Sequence, residues 1–141
     1  MNKLKTVMLC TALGALLTIS VFAKTPPSAD AKATINEFAE SHINSDAVKM
    51  SKVLSYDVIL KTTKGNQIQT QDQKAILNLV RQSQGIKQNC STKIDLISSS
   101  DAMVIAKVSF IYENFVVENL LTLELDKNQK WMITRIDKFF A

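Results

Sequence analysis

The chain has 141 residues, 46% of them hydrophobic and 21% charged, with 17 basic and 13 acidic side chains and a formal net charge of +4. That length suits one domain with enough core to need no covalent staple. The charge is small and dispersed, which excludes a phosphate-binding stripe and with it a nucleic-acid partner.

Residues 1–23 read as a secretory signal. Lys3 and Lys5 give a basic start, residues 7–22 are apolar and uncharged, and Val21-Phe22-Ala23 precedes a cut ahead of Lys24. The apolar run is shorter than the roughly 20 residues that span a bilayer. Gly14, Thr11, Thr18 and Ser20 dilute it further. Cys10 lies too early, after a bulky Leu9, for lipoprotein processing. The expected mature protein is exported, periplasmic or secreted, with a net charge of +2 and no stable membrane anchor. Cys90 is then its only cysteine, so no internal disulfide forms. It reads either as a small half-buried hydrophobe or as the site of an intermolecular bridge.

Residues 24–27 form a polar linker with both prolines of the chain adjacent, and one domain follows over residues 28–141. Ser28 is a candidate N-cap, and Asp30 suits the positive end of a helix dipole. Ala31, Ile35, Phe38, Ala39, His42 and Ile43 recur at helical spacing and mark one apolar stripe. Asn44-Ser45-Asp46 interrupts the pattern and recaps a shorter helix with Ala47, Met50, Val53 and Leu54. Residues 56–61 alternate as a strand, with Tyr56, Val58 and Leu60 on one side. Residues 62–69 are polar and read as a loop or hairpin end around Gly65-Asn66. Thr70 and Gln73 have the spacing of a capping box for a third helix, whose buried face is Ile76, Leu77 and Val80 and whose terminator is Gly85.

Everything after Gly85 reads as sheet. Cys90, Thr92, Ile94 and Leu96 alternate in the first of four strands. Even positions 102–112 are Ala, Val, Ala, Val, Phe and Tyr, an unbroken apolar face. After a turn at Glu113-Asn114, Phe115, Val117, Leu121, Leu123 and Leu125 share a face on which Asn119 is the single polar residue. Residues 131–140 make the last strand. No glycine or proline interrupts residues 86–141, so the strands are long. Early helices and late strands define an α+β class: a cone-like curved antiparallel sheet of about five strands packed against three N-terminal helices.

That element order, ending in a Trp-x-Ile strand, resembles the nuclear transport factor 2-like superfamily. Within it, the resemblance is nearest to small exported bacterial proteins related to polyketide cyclases and to the lumazine-binding-like group. Ile35 and Phe38, Ser55-Tyr56-Asp57, and the segment Lys130-Trp131-Met132-Ile133-Thr134-Arg135-Ile136 carry it. The resemblance implies a helix-capped cone with a pocket inside and a homodimer through the outer sheet face. It does not select among isomerases, dehydratases, cyclases and binding domains.

The residue types that such enzymes place inside the cone are an acid, a His or a Tyr. His42 shares a helical face with Ile35 and Phe38; as a base it needs an orienting partner, and the competing reading tips it to solvent at the helix end. Asp57 falls opposite Val58 and Leu60, as a solvated strand acid. Tyr112 ends the strongest apolar face, with its hydroxyl either in a cavity or at the rim. Asn119 must find a hydrogen-bond partner in the protein or in a ligand. With Tyr56, these make the candidate pocket set His42, Tyr56, Tyr112 and Asn119. Glu118 and Glu124 lie on the opposite face, about 20 Å apart, too far for paired-carboxylate chemistry. Lys107 is expected opposite them, and Arg135 and Asp137 are expected to pair across strands instead of binding a ligand. One histidine excludes the common zinc signatures, and Gly65 and Gly85 alone cannot build a nucleotide loop. No metal or cofactor is implied.

The leading expectation is a non-enzymatic binding domain for a small hydrophobic or amphipathic ligand, or a protein-interaction module. A cofactor-independent isomerase or cyclase with His42 as base is the second, favoured if His42 and Tyr112 meet in one cavity. A structural homodimer using Ile105, Ile111, Leu120 and Ile136 is the third.

Overall fold

The computed structural model describes residues 27–141, so the signal segment and most of the linker lie outside the described residues. Three helices come first. Helix α1 (Ala29–Ile43) begins where the Ser28 hydroxyl accepts from the Ala31 N–H, and it buries Ala31, Ile35, Phe38 and Ala39. Ser45 turns the chain with φ of 51°, and Asp46 then caps α2 (Ala47–Val53) by accepting from the Lys49 N–H. Strand β1 (Leu54–Lys64) follows without a loop and returns through Gly65-Asn66 into β2 (Gln67–Gln71). Gly65 has φ of 59° at the first of the two turn positions, where hairpin turns of this length favour glycine.

Helix α3 (Gln73–Gln82) is capped by Asp72, whose carboxylate accepts from the Ala75 N–H at 2.8 Å. The capping box expected from Thr70 does not form, because Thr70 is held in β2 opposite Lys61. Gln73 is free to reach elsewhere, and its amide donates to the Leu54 carbonyl. Four strands complete the chain: β3 (Ser91–Ser99), β4 (Met103–Ile111), β5 (Val116–Leu125) and β6 (Trp131–Phe140).

The six strands form one sheet in the order β2-β1-β6-β5-β4-β3. The α+β class expected from the sequence holds. Two details differ from expectation. Residues 67–71 form a sixth strand, and β1 runs parallel to β6 while the other pairs are antiparallel. Sequence periodicity could not show β2, whose lone large apolar residue, Ile68, is 68% exposed. Its backbone ladder to β1 makes it a strand.

One continuous core joins the helices to the inner sheet face, with Val104, Ala106, Val108, Phe110, Leu121, Leu123, Ile133 and Ile136 sealed from solvent. A β-bulge decides what β6 presents to that core. Thr122 pairs with Arg135 but Leu123 pairs with Ile133, leaving Thr134 as the extra residue. Trp131 and Ile133 point inward before the bulge, and Ile136 is buried after it, so the inward parity changes from odd to even. Ile136 therefore belongs to the core, and the expectation that it contributes to an outer dimer face is corrected.

Candidate functional site

The helices do not fill the space against the sheet completely. A cavity of about 140 Å³ remains between them. Phe38 and His42 of α1, Met50 of α2 and Ile76, Leu79 and Val80 of α3 form its helical wall. Leu60, Asn119, Ile136 and Lys138 form the sheet wall. Ser45, Ser83 and Gln88 add polar groups at the connections.

Asn119 was the one amide in an apolar stripe, and it is 2% exposed. Its side chain has no hydrogen-bond partner among the described residues. Of the two alternatives posed by the sequence, protein partner or ligand, the first is thereby absent there. Opposite it in the β5–β6 ladder stands Lys138. This lysine is half-buried and lines the same cavity. Among the described residues no Asp or Glu lines the cavity with it. Burial holds the Lys138 ammonium below its ordinary pKa.

His42 lies flat on Phe110, with ring centroids 3.9 Å apart. Its Nε2 is 3.2 Å from the Tyr112 hydroxyl. Tyr112 donates in turn to Gln88 Oε1 at 3.4 Å, and the Gln88 amide donates to Ser45 Oγ. Ser45 completes the chain by donating to the Ile86 carbonyl at 2.7 Å. Because the phenol has one proton and gives it to Gln88, His42 Nε2–H is the donor to Tyr112. Burial first, and the nearby Lys138 charge second, lower His42 to about 4. Burial pushes Tyr112 up to about 12, reinforced by the neighbouring Cys90. At neutral pH the lining's imidazole is therefore neutral and bonded to a neutral phenol that lies outside the lining.

The remaining sequence candidates lie elsewhere. Tyr56 is 91% exposed and takes no part in the cavity. The alternation that grouped it with Val58 and Leu60 fails because β1 is irregular between Leu54 and Ile59, so residues 55–57 are displaced from the regular ladder. Asp57 is exposed and accepts a hydrogen bond from the Ser55 hydroxyl. Lys107 pairs with Glu118 at 3.4 Å on the outer face, as expected. Arg135 pairs with Asp137 along its own strand instead of across strands. Cys90 is half-buried against the core. Lys138, Gln88 and Ser45 were missed by sequence reasoning. The signal for Lys138 was its spacing of two from Ile136, masked because the bulge reverses parity within the strand.

Solved structures share this architecture. An NTF-2 like protein of unknown function from Silicibacter pomeroyi is 11% identical, with a TM-score of 0.69 over 80% of this chain and 94% of that one. An NTF2-like protein of unknown function from Methylobacillus flagellatus is 17% identical, with a TM-score of 0.65 over 84% and 98%. A ketosteroid isomerase-like protein from Erwinia carotovora atroseptica is 9% identical, with a TM-score of 0.62 over 80% and 95%. The fold is that of the NTF2-like superfamily. No curated protein matches the chain. Residues 27–140 match the family described as "Putative lumazine-binding", and the chain belongs to that family.

Proposed function

We propose that this protein is an exported binding domain whose cavity holds a compact, partly polar small molecule. The observation that carries this reading is the Asn119 amide, which lines the cavity from a residue only 2% exposed and has no protein hydrogen-bond partner among the described residues. Its polar atoms stay accessible from the cavity, since Thr92 Oγ1 is the one sealed and unpartnered side-chain atom among the described residues, so an occupant of the cavity can bond them. The family description supports a small-molecule role. The volume limits the occupant: it is below the roughly 300–1,000 Å³ of drug-sized sites, but similar to apolar cavities of about 150 Å³ that hold benzene. Export rests on the charged, apolar and small-residue order of residues 1–23. Native mass spectrometry of the purified protein tests the binding reading. The expected spectrum contains a non-covalent small-molecule adduct, and a bare chain that also takes up no added fragment contradicts it.

A second reading starts from the contact between His42, which lines the cavity, and Tyr112, which stands outside its lining. An imidazole in the lining, hydrogen-bonded to a phenol behind it, can relay a proton, as a small isomerase or cyclase requires. Against it, a histidine lowered to about 4 is a weak base, and no carboxylate orients it. Deuterium exchange into cyclohexanone separates the readings: catalysed exchange that His42→Gln abolishes supports the enzyme, and no exchange above buffer removes it.

A further inference from the structure

We infer that the cavity selects a ligand bearing an acidic oxygen group, a carboxylate or enolate, seated between the Lys138 ammonium and the Asn119 amide. The inference rests on the binding reading above and specifies the chemistry of its ligand. Three structural observations carry it. Lys138 and Asn119 are register partners on adjacent strands, so their side chains leave the sheet about 5 Å apart on one face. Both line the cavity, and Asn119 is almost fully buried. Among the described residues the cavity's lining contains a lysine and no acid, so an anionic ligand group would meet a positive charge with no competing carboxylate.

The geometry divides the ligand into two ends. A cation and an amide donor match the two oxygens of a carboxylate, and charge-assisted hydrogen bonds are about twice as strong as neutral ones. Phe38, Leu60, Ile76 and Val80 form the apolar surroundings for the rest of the molecule. The ion pairs recorded on the protein surface use Lys93, Lys107 and Arg135, which leaves Lys138 uncommitted. Gln88 and His42 add polar groups to the same lining. A compact ring acid satisfies all of these features at once.

Isothermal titration with benzoate and with its neutral counterpart benzyl alcohol tests the inference. Benzoate is expected to bind at least about tenfold more tightly than benzyl alcohol, and Lys138→Met to bring the ratio of the two affinities to about one. A cooperative thermal transition of the variant shows that it is folded. Equal binding of the two probes, or a benzoate preference that survives Lys138→Met, overturns charge selection and leaves the binding reading standing. Failure of both probes to bind at millimolar concentration overturns the inference and the binding reading together.

Discussion

Asn119 and Lys138 face one another across β5 and β6, and both side chains enter one cavity instead of bonding to the protein around it. Polar groups in that position are a cost to folding. Asn119→Leu keeps nearly the same volume and removes the unpartnered amide. It is expected to stabilise the ligand-free protein by about 1 kcal/mol, a rise in Tm of roughly 4 °C. Differential scanning calorimetry measures it, and a fall of similar size shows that the amide is bonded in the folded state.

His42 sets an acid limit on stability. Its ordinary value is 6.5 and its folded value is about 4, so the unfolded chain takes up a proton that the folded protein refuses. The stabilisation is therefore complete above about pH 6.5, falls as pH drops toward 4, and levels off below. The loss amounts to about 3 kcal/mol at most. Urea midpoints of wild type and His42→Phe across that range reveal it, with the variant losing this part of the slope. A histidine titration by NMR centred at 6.5 or higher contradicts the prediction.

The start of α3 offers a sharper local test. Asp72 and not Thr70 accepts from the first turn, through Ala75 N–H. Asp72→Ala is expected to cost about 1 kcal/mol, and Thr70→Ala less than about 0.5 kcal/mol. Chemical denaturation of both variants decides it; equal costs, or the reverse order, show that the cap lies at Thr70.

The outer face of the sheet carries Ile105, Leu120 and the 40%-exposed Ile111 around the Lys107–Glu118 ion pair. We propose that a second copy covers it. Sedimentation equilibrium is expected to show a dimer that Leu120→Arg dissociates, and a wild-type protein that stays monomeric at high concentration removes the proposal.

Much of this architecture was legible in the sequence because its signals were periodic. The stripe of Ile35, Phe38 and Ala39 and the even positions from 104 to 110 each point to one face, and burial follows them. Asn119 stood out for the same reason, as a break in a regular pattern. The failures share one cause. Tyr56 was placed by alternation that stops at the irregularity in β1, and Lys138 was hidden by the bulge at Thr134. A shift of one residue exchanges the two faces of a strand, and nothing local in composition records it. Gln88 could not be read at all, because its place depends on the Ile43 carbonyl that accepts its backbone N–H from a distant part of the chain.

The account depends on the space between the helices and β1, β5 and β6 being a site that a small molecule enters. The most direct test is a benzoate titration of the ¹⁵N-labelled protein followed by NMR. The expected result is saturable shifts centred on the Asn119 side-chain amide and on the backbone at Leu60, Val80 and Ile136. A second hollow of about 390 Å³, between α1 and the strands carrying Ile94, Leu96 and Ala106, provides the internal comparison. Shifts confined to Ile94 and Leu96, or no saturable shifts anywhere, would contradict the account.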